Sequence, residues 1–169
     1  LTGVVGSLVK TIDGADGTAQ AVTLSPEEVT TLGNGSVQIE ASQTDEHGNI
    51  SLTTSSDSFV IDTIVPEVGA IADEQDGIAF DGENTVTYTL SFSEAVQSVT
   101  EGDLTVTGAE GYTVSHEAGS DTASVTGTVA DNSMENVSVS VNDSIVDIVG
   151  NPLIEVTDNL QTVDTVNPS

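Results

Sequence analysis

With 169 residues the chain has room for one or two domains, and its 28 Asp and Glu face a single basic residue, Lys10, for a formal net charge of -27. A chain so acidic cannot neutralise phosphates, which excludes nucleic acid as a partner, and it would be repelled by an anionic membrane surface. Cys is absent, so disulfides and thiolate metal sites are excluded, and no apolar run is long enough to span a bilayer.

Period-two alternation dominates from the start. Ser7–Asp13, Ala19–Leu24, Ser36–Ser42 and Ser58–Asp62 read as strands, and Pro26–Leu32 as a helical turn. In the second half Thr85–Phe92 is the clearest strand, with Val86, Tyr88, Leu90 and Phe92 on one face. Asp103–Thr107, Tyr112–Ser115, Ala123–Val129, Val137–Val141 and a last strand over about 154–163 follow. Turn-forming clusters separate them: Asp13–Gly17, Gly33–Gly35, Asp81–Asn84 and Asp131–Ser133. Although acid-rich chains are often disordered, this one is 36% hydrophobic and rich in Val and Thr, and short strands with frequent turns predict an antiparallel β-sandwich.

Superimposed on the alternation is a repeat. Asp45, Gly48, Asn49, Asp62, Thr63 and Pro66 recur with identical spacing as Asp147, Gly150, Asn151, Asp164, Thr165 and Pro168. Six matches at one offset imply tandem modules of about 100 residues. Each ends in D-x-x-G-N, a strand and D-T-x-x-P. The expected organisation is all-β: a first module over 1–63, shortened at its N-terminal side by one or two strands, and a complete module over 64–169. The period fits a seven-strand immunoglobulin-like sandwich. A short linker, Asp62–Pro66, contains a Pro that limits its freedom. Without an initiating Met or a signal sequence, the chain reads as a piece of something longer.

The D-x-x-G-N, strand, D-T-x-x-P ending resembles bacterial immunoglobulin-like repeats. Phe92–Val96 (FSEAV) with Gly102–Gly108 (GDLTVTG), and Leu32–Val37 (LGNGSV) ahead of Asp45–Asn49, are similar to the core motifs of related subgroups. The resemblance implies a module of the stalk of a large secreted adhesin, the kind often exported with calcium-binding RTX repeats, located outside the cell or on the bacterial surface. Its partners would then be neighbouring immunoglobulin-like modules of the same polypeptide. The glycine-aspartate RTX nonapeptides themselves are absent from the sequence.

In such a sandwich the loops after the second and sixth strands lie at the incoming end. With Thr85–Phe92 as the second strand and Val137–Val141 as the sixth, Glu94, Asp147 and Asn151 should gather there. Asp62 would arrive from the first module, and Asp103 is a fifth candidate. Ca2+ takes six to eight oxygens, so this set is predicted to hold a calcium ion that stiffens the linker. The simpler alternative is that Asp147 and Asn151 cap a turn. By repetition Asp45, Asn49 and Asp164 form half-sites facing modules outside this chain. Asp13 with Asp16, and Asp73 with Asp76 and Asp81, fit solvated turns better, and none has EF-hand spacing.

No enzyme motif survives inspection. His116–Ser120 begins like a zincin helix but carries Ser where the second His is required, and His47 falls in a predicted surface turn. Carboxylate pairs suited to glycoside hydrolysis are abundant, but aromatic residues, on which sugars usually stack, make up only 3%. The sequence therefore points to a non-enzymatic structural extender. A carbohydrate- or protein-binding module and an accessory domain of a secreted hydrolase are the alternatives.

Overall fold

The computed structural model describes residues 6–12, 20–52, 54–73, 78–80, 85–154 and 156–166. The chain divides into two compact units, Leu1–Ile64 and Val65–Ser169. The architecture is predominantly β.

Unit 1 is built on little apolar material. Helix α1 (Pro26–Leu32) starts at a capping box: Glu28 N–H donates to Ser25 Oγ at 3.3 Å and Ser25 N–H to Glu28 Oε2 at 2.7 Å. Pro26 occupies the first turn, where its missing N–H costs nothing, and Gly33 ends the helix at φ 76°. Lys10, the chain's one basic residue, bonds Glu28 Oε2 at 2.6 Å. Strands β1 (Gly35–Ala41) and β2 (Thr54–Ile61) pair antiparallel, with a bulge between Gln38 and Glu40. Leu32, Val37 and Ile61 form the buried cluster, with Leu8, Leu24 and Val29 packed against it. Much apolar surface stays exposed, including Ile39 at 45% and Leu52 at 91%.

Two expected strands are not there. Residues 7–12 and 20–24 alternate in the sequence but adopt no strand, and Asp13 and Ala19 lie outside the described residues. Alternation supplies a face to bury, but a strand also needs a paired neighbour, and among the described residues these segments join no ladder.

Unit 2 is a two-sheet sandwich. One sheet is formed by β3 (Val68–Asp73), β5 (Thr85–Phe92), β8 (Thr122–Thr128) and β7 (Gly111–His116), in the order β3-β5-β8-β7 and antiparallel throughout. The other is formed by β4 (Ile78–Phe80), β10 (Val156–Asp164), β9 (Val137–Val141) and β6 (Leu104–Thr107), in the order β4-β10-β9-β6. It is antiparallel except at β4–β10, which run parallel. Alternation works here because each strand has neighbours. Val86, Tyr88, Leu90 and Phe92 of β5 meet Val137, Val139 and Val141 of β9 in one core with Val125, Ile145, Leu153 and Val163. Tyr88 Oη donates to Val137 O at 2.9 Å, giving the buried phenol its partner across the sheets. β3 and β4 have no counterpart among the strands expected from the sequence.

The two cores differ enough to separate on unfolding. Leu90, fully buried in unit 2, should cost about 2–5 kcal/mol when changed to Ala. Ile39→Ala in unit 1 should cost less than about 1 kcal/mol, given its exposure. Urea titration should show unit 1 melting first and only the later transition moving in Leu90→Ala; one shared transition would contradict independent cores.

Candidate metal centre

Both copies of the repeated motif close the same turn. In unit 1, Asp45 Oδ1 accepts the N–H of His47 and of Asn49 at 2.9 and 2.8 Å, and Asn49 Nδ2 donates to Asp45 Oδ2 at 2.7 Å. In unit 2, Asp147 Oδ1 accepts the N–H groups of Val149, Gly150 and Asn151 at 2.8, 2.6 and 2.9 Å. Asn151 Nδ2 donates to Asp147 Oδ2 at 2.7 Å. The flanking bridges also repeat at the same offset, Thr44–Ile50 and Val146–Pro152. Gly48 and Gly150 adopt φ of 85° and 107°, a left-handed conformation that favours glycine. The linker Asp behaves likewise in both copies: Asp62 Oδ1 accepts Ile64 N–H at 3.1 Å, and Asp164 Oδ1 accepts Val166 N–H at 3.2 Å. Capping is therefore a sufficient reason for the Asp and Asn of each turn.

Burial separates the two turns. Asp45 is exposed, whereas Asp147 is 1% exposed. Burial pushes the Asp147 carboxyl up, but the Asn151 amide and the N–H groups of Asn151, Gly150 and Val149 outweigh it and hold the group below the ordinary carboxylate range. Asp147 is thus kept as an anion. Its Oδ1 is committed to three donors, so Oδ2 is the atom with capacity for a cation.

Glu94 lies beside this turn. The chain leaves β5 at Phe92 and crosses between the sheets, pinned on both sides. Ser93 N–H donates to Glu67 O at 2.8 Å, Val96 bridges to Asp147, and Gln97 N–H donates to Val146 O at 2.9 Å. On the other flank Val96 N–H reaches Ser120 O at 3.1 Å, and Val99 N–H donates to His116 Nδ1 at 3.2 Å. This fixes Glu94 so that one of its carboxylate oxygens lies within 4.8 Å of one of Asp147. Two carboxylates that close repel unless a cation lies between them. Unit 2 contains no Lys or Arg to supply one.

Asp103 has other partners. One oxygen accepts Thr100 N–H and the Thr100 hydroxyl at 2.8 and 2.7 Å, and the other accepts the Ser144 hydroxyl at 2.7 Å. Burial raises its pKa while the Ser144 and Thr100 donors lower it further, to a net depression. It caps the 3-10 turn Glu101–Asp103 that leads into β6. Of the residues expected at the centre, unit 2 brings together Glu94, Asp147 and Asn151, and Asp103 serves this cap. Asp62 closes unit 1. Of the other acidic candidates, Asp13, Asp16, Asp76 and Asp81 lie outside the described residues. The crossover roles of Val96, Gln97 and His116 are not readable from the sequence, because they are backbone bridges and a single ring nitrogen.

Comparison with known proteins finds no matching family model, no similar curated protein and no similar solved structure.

Asp147→Asn should destabilise unit 2 by about 1–3 kcal/mol at neutral pH in EDTA, since an amide cannot accept all the donors now served. The native carboxylate, with its lowered pKa, adds stability that is full above the unfolded value of about 3.9 and lost as pH falls through the lower folded value. Denaturation at pH 7 and below pH 4 should therefore show the variant's deficit shrinking in acid. A deficit constant with pH would contradict an anionic cap.

Proposed function

We propose that this chain is a non-enzymatic structural extender, a run of immunoglobulin-like modules in the stalk of a secreted or cell-surface adhesin, stiffened by Ca2+ at the junction of its modules. The observation that carries the metal is the close approach of the Glu94 and Asp147 carboxylates in a unit that has no Lys or Arg. Ca2+ suits such a site because it takes carboxylate, amide and backbone oxygens with loose geometry.

Asp62 would supply the third carboxylate. It stands two residues before the boundary at Ile64, and five before Glu67, whose backbone is bonded in both directions to Ser93. An extended chain spans at most about 3.3–3.6 Å per residue, so Asp62 is tethered within about 17 Å of Glu67. The offset repeat of Asp62 and Asp164 favours a role tied to each junction over one tied to a single site.

The immunoglobulin-like reading is supported by strand order. β3-β5-β8-β7 and β10-β9-β6 correspond to the ABED and GFC sheets of that sandwich, with β4 as the second half of the first strand. The stalk role and the extracellular location follow from the motif resemblance, together with a charge that suits calcium-rich or saline surroundings.

Calorimetry in millimolar Ca2+, Mg2+ and EDTA tests the metal. An ion selective for the folded state stabilises by about 2.7 kcal/mol at 100-fold excess over its Kd. The expected result is a higher Tm in Ca2+ only, lost in EDTA and in Glu94→Gln. Equal curves in all three would leave the pair as ordinary acidic loops and favour a ligand-binding module instead.

A further inference from the structure

We propose that Asn34 is a site of spontaneous covalent modification: the Gly35 backbone nitrogen and water convert its side-chain amide to a carboxylate, and the conversion releases Thr63 from unit 1. The inference concerns unit 1 alone and stands apart from the stalk and calcium readings.

The sequence supplies the nucleophile. Asn34 is followed by Gly, whereas every other Asn in the chain is followed by a residue with a side chain. A backbone nitrogen that attacks the preceding side-chain amide is hindered by its own residue's side chain, and Gly35 has none. Gly35 opens β1 at φ 132°, a conformation that favours glycine. In the repeat the equivalent pair is Asn136–Val137, with Val137 fully buried, which confines the reaction to unit 1.

The fold supplies the rest of the site. Thr63 N–H and the Thr63 hydroxyl both donate to Asn34 Oδ1, at 2.9 Å each. Attack at Cγ throws negative charge onto that oxygen, and fixed donors aimed at it stabilise the charge as an oxyanion hole does. Asn34 and Thr63 also line a cleft of about 200 Å3 with Val29, Thr30 and Gly33, large enough to hold several waters.

The chemistry balances without an oxidant or reductant. The Gly35 N–Cγ bond forms, the Gly35 amide proton passes to water, and the Cγ–Nδ2 bond breaks with loss of ammonia, leaving a cyclic imide. Water then opens the ring at Cγ, which gives aspartate, or at the backbone carbonyl of residue 34, which gives isoaspartate. Isoaspartate adds a methylene to the main chain and carries the acceptor away from Thr63. The bonds lost are those that hold the residue next to the unit boundary at Ile64.

Ageing the full chain at mildly alkaline pH, then mapping peptides by mass with isoaspartate labelled by an isoaspartyl methyltransferase, tests both halves. Asn34 should convert faster than any other Asn. Thr63→Val, which removes the hydroxyl and leaves the N–H, should slow conversion by at least about fivefold in the folded chain, and Thr63→Ser should restore it. In guanidinium chloride, where the donors are dispersed, all three should convert at one rate. Aged native chain should show the earlier urea transition, that of unit 1, moved to lower urea and the later one unchanged. Asn34 keeping its amide while other Asn convert, or Thr63→Val converting as fast as the native chain, would overturn the site. Isoaspartate at position 34 without a shift of the earlier transition would overturn the release. If Thr63→Val does not fold, the native sequence still decides: conversion slower in the folded chain than in guanidinium chloride would mean that the fold protects Asn34 and would overturn the site.

Discussion

The buried carboxylate of Asp147 is the constraint around which the incoming end of unit 2 is organised. Three backbone N–H groups and the Asn151 amide converge on it, which closes the turn between β9 and β10. The backbone of that turn then holds the crossover from β5 through the Val96 bridge and Gln97. The crossover in turn carries Glu94. A local rule for a five-residue turn thus fixes the approach of two anions from separate parts of the sheet pair. The Asx cap and the acidic pair are one object seen at two ranges.

Charge gives this object its consequence. A folded chain with 28 Asp and Glu and a single Lys is pushed apart by its own field, which salt or bound cations relieve. Exposed carboxylates such as Asp45 are solvated and tolerate their neighbours. Asp147 is not solvated, so it depends on fixed dipoles, and a second carboxylate nearby raises the demand for positive charge. A divalent ion, as proposed, would meet that demand in a unit that has no Lys or Arg.

How far the sequence can be read depends on what kind of signal a feature leaves. β5 and β9 were legible because both faces of their alternation are honoured: Val86, Tyr88, Leu90 and Phe92 inside, Thr and Ser outside. α1 was legible because Ser25, Pro26 and Glu28 are a local punctuation that needs no tertiary help. Residues 7–12 and 20–24 carry the same alternation but form no ladder among the described residues, so period alone misled. β4 is only three residues long and its meaning lies in its pairing with β10, which no local pattern encodes. At the centre, Glu94, Asp147 and Asn151 came from the repeat and the expected loop positions. Asp103 shares their chemistry, but Thr100 and Ser144 supply its donors, a contact across 41 residues that spacing does not reveal.

Small-angle scattering of the full chain in Ca2+ and in EDTA tests most directly whether, as proposed, an ion couples one module to the next. The account predicts an extended, narrowly distributed particle in Ca2+ that becomes shorter on average and more heterogeneous in EDTA, with Asp62→Asn resembling the EDTA state even in Ca2+. Superimposable curves in Ca2+ and EDTA would contradict it.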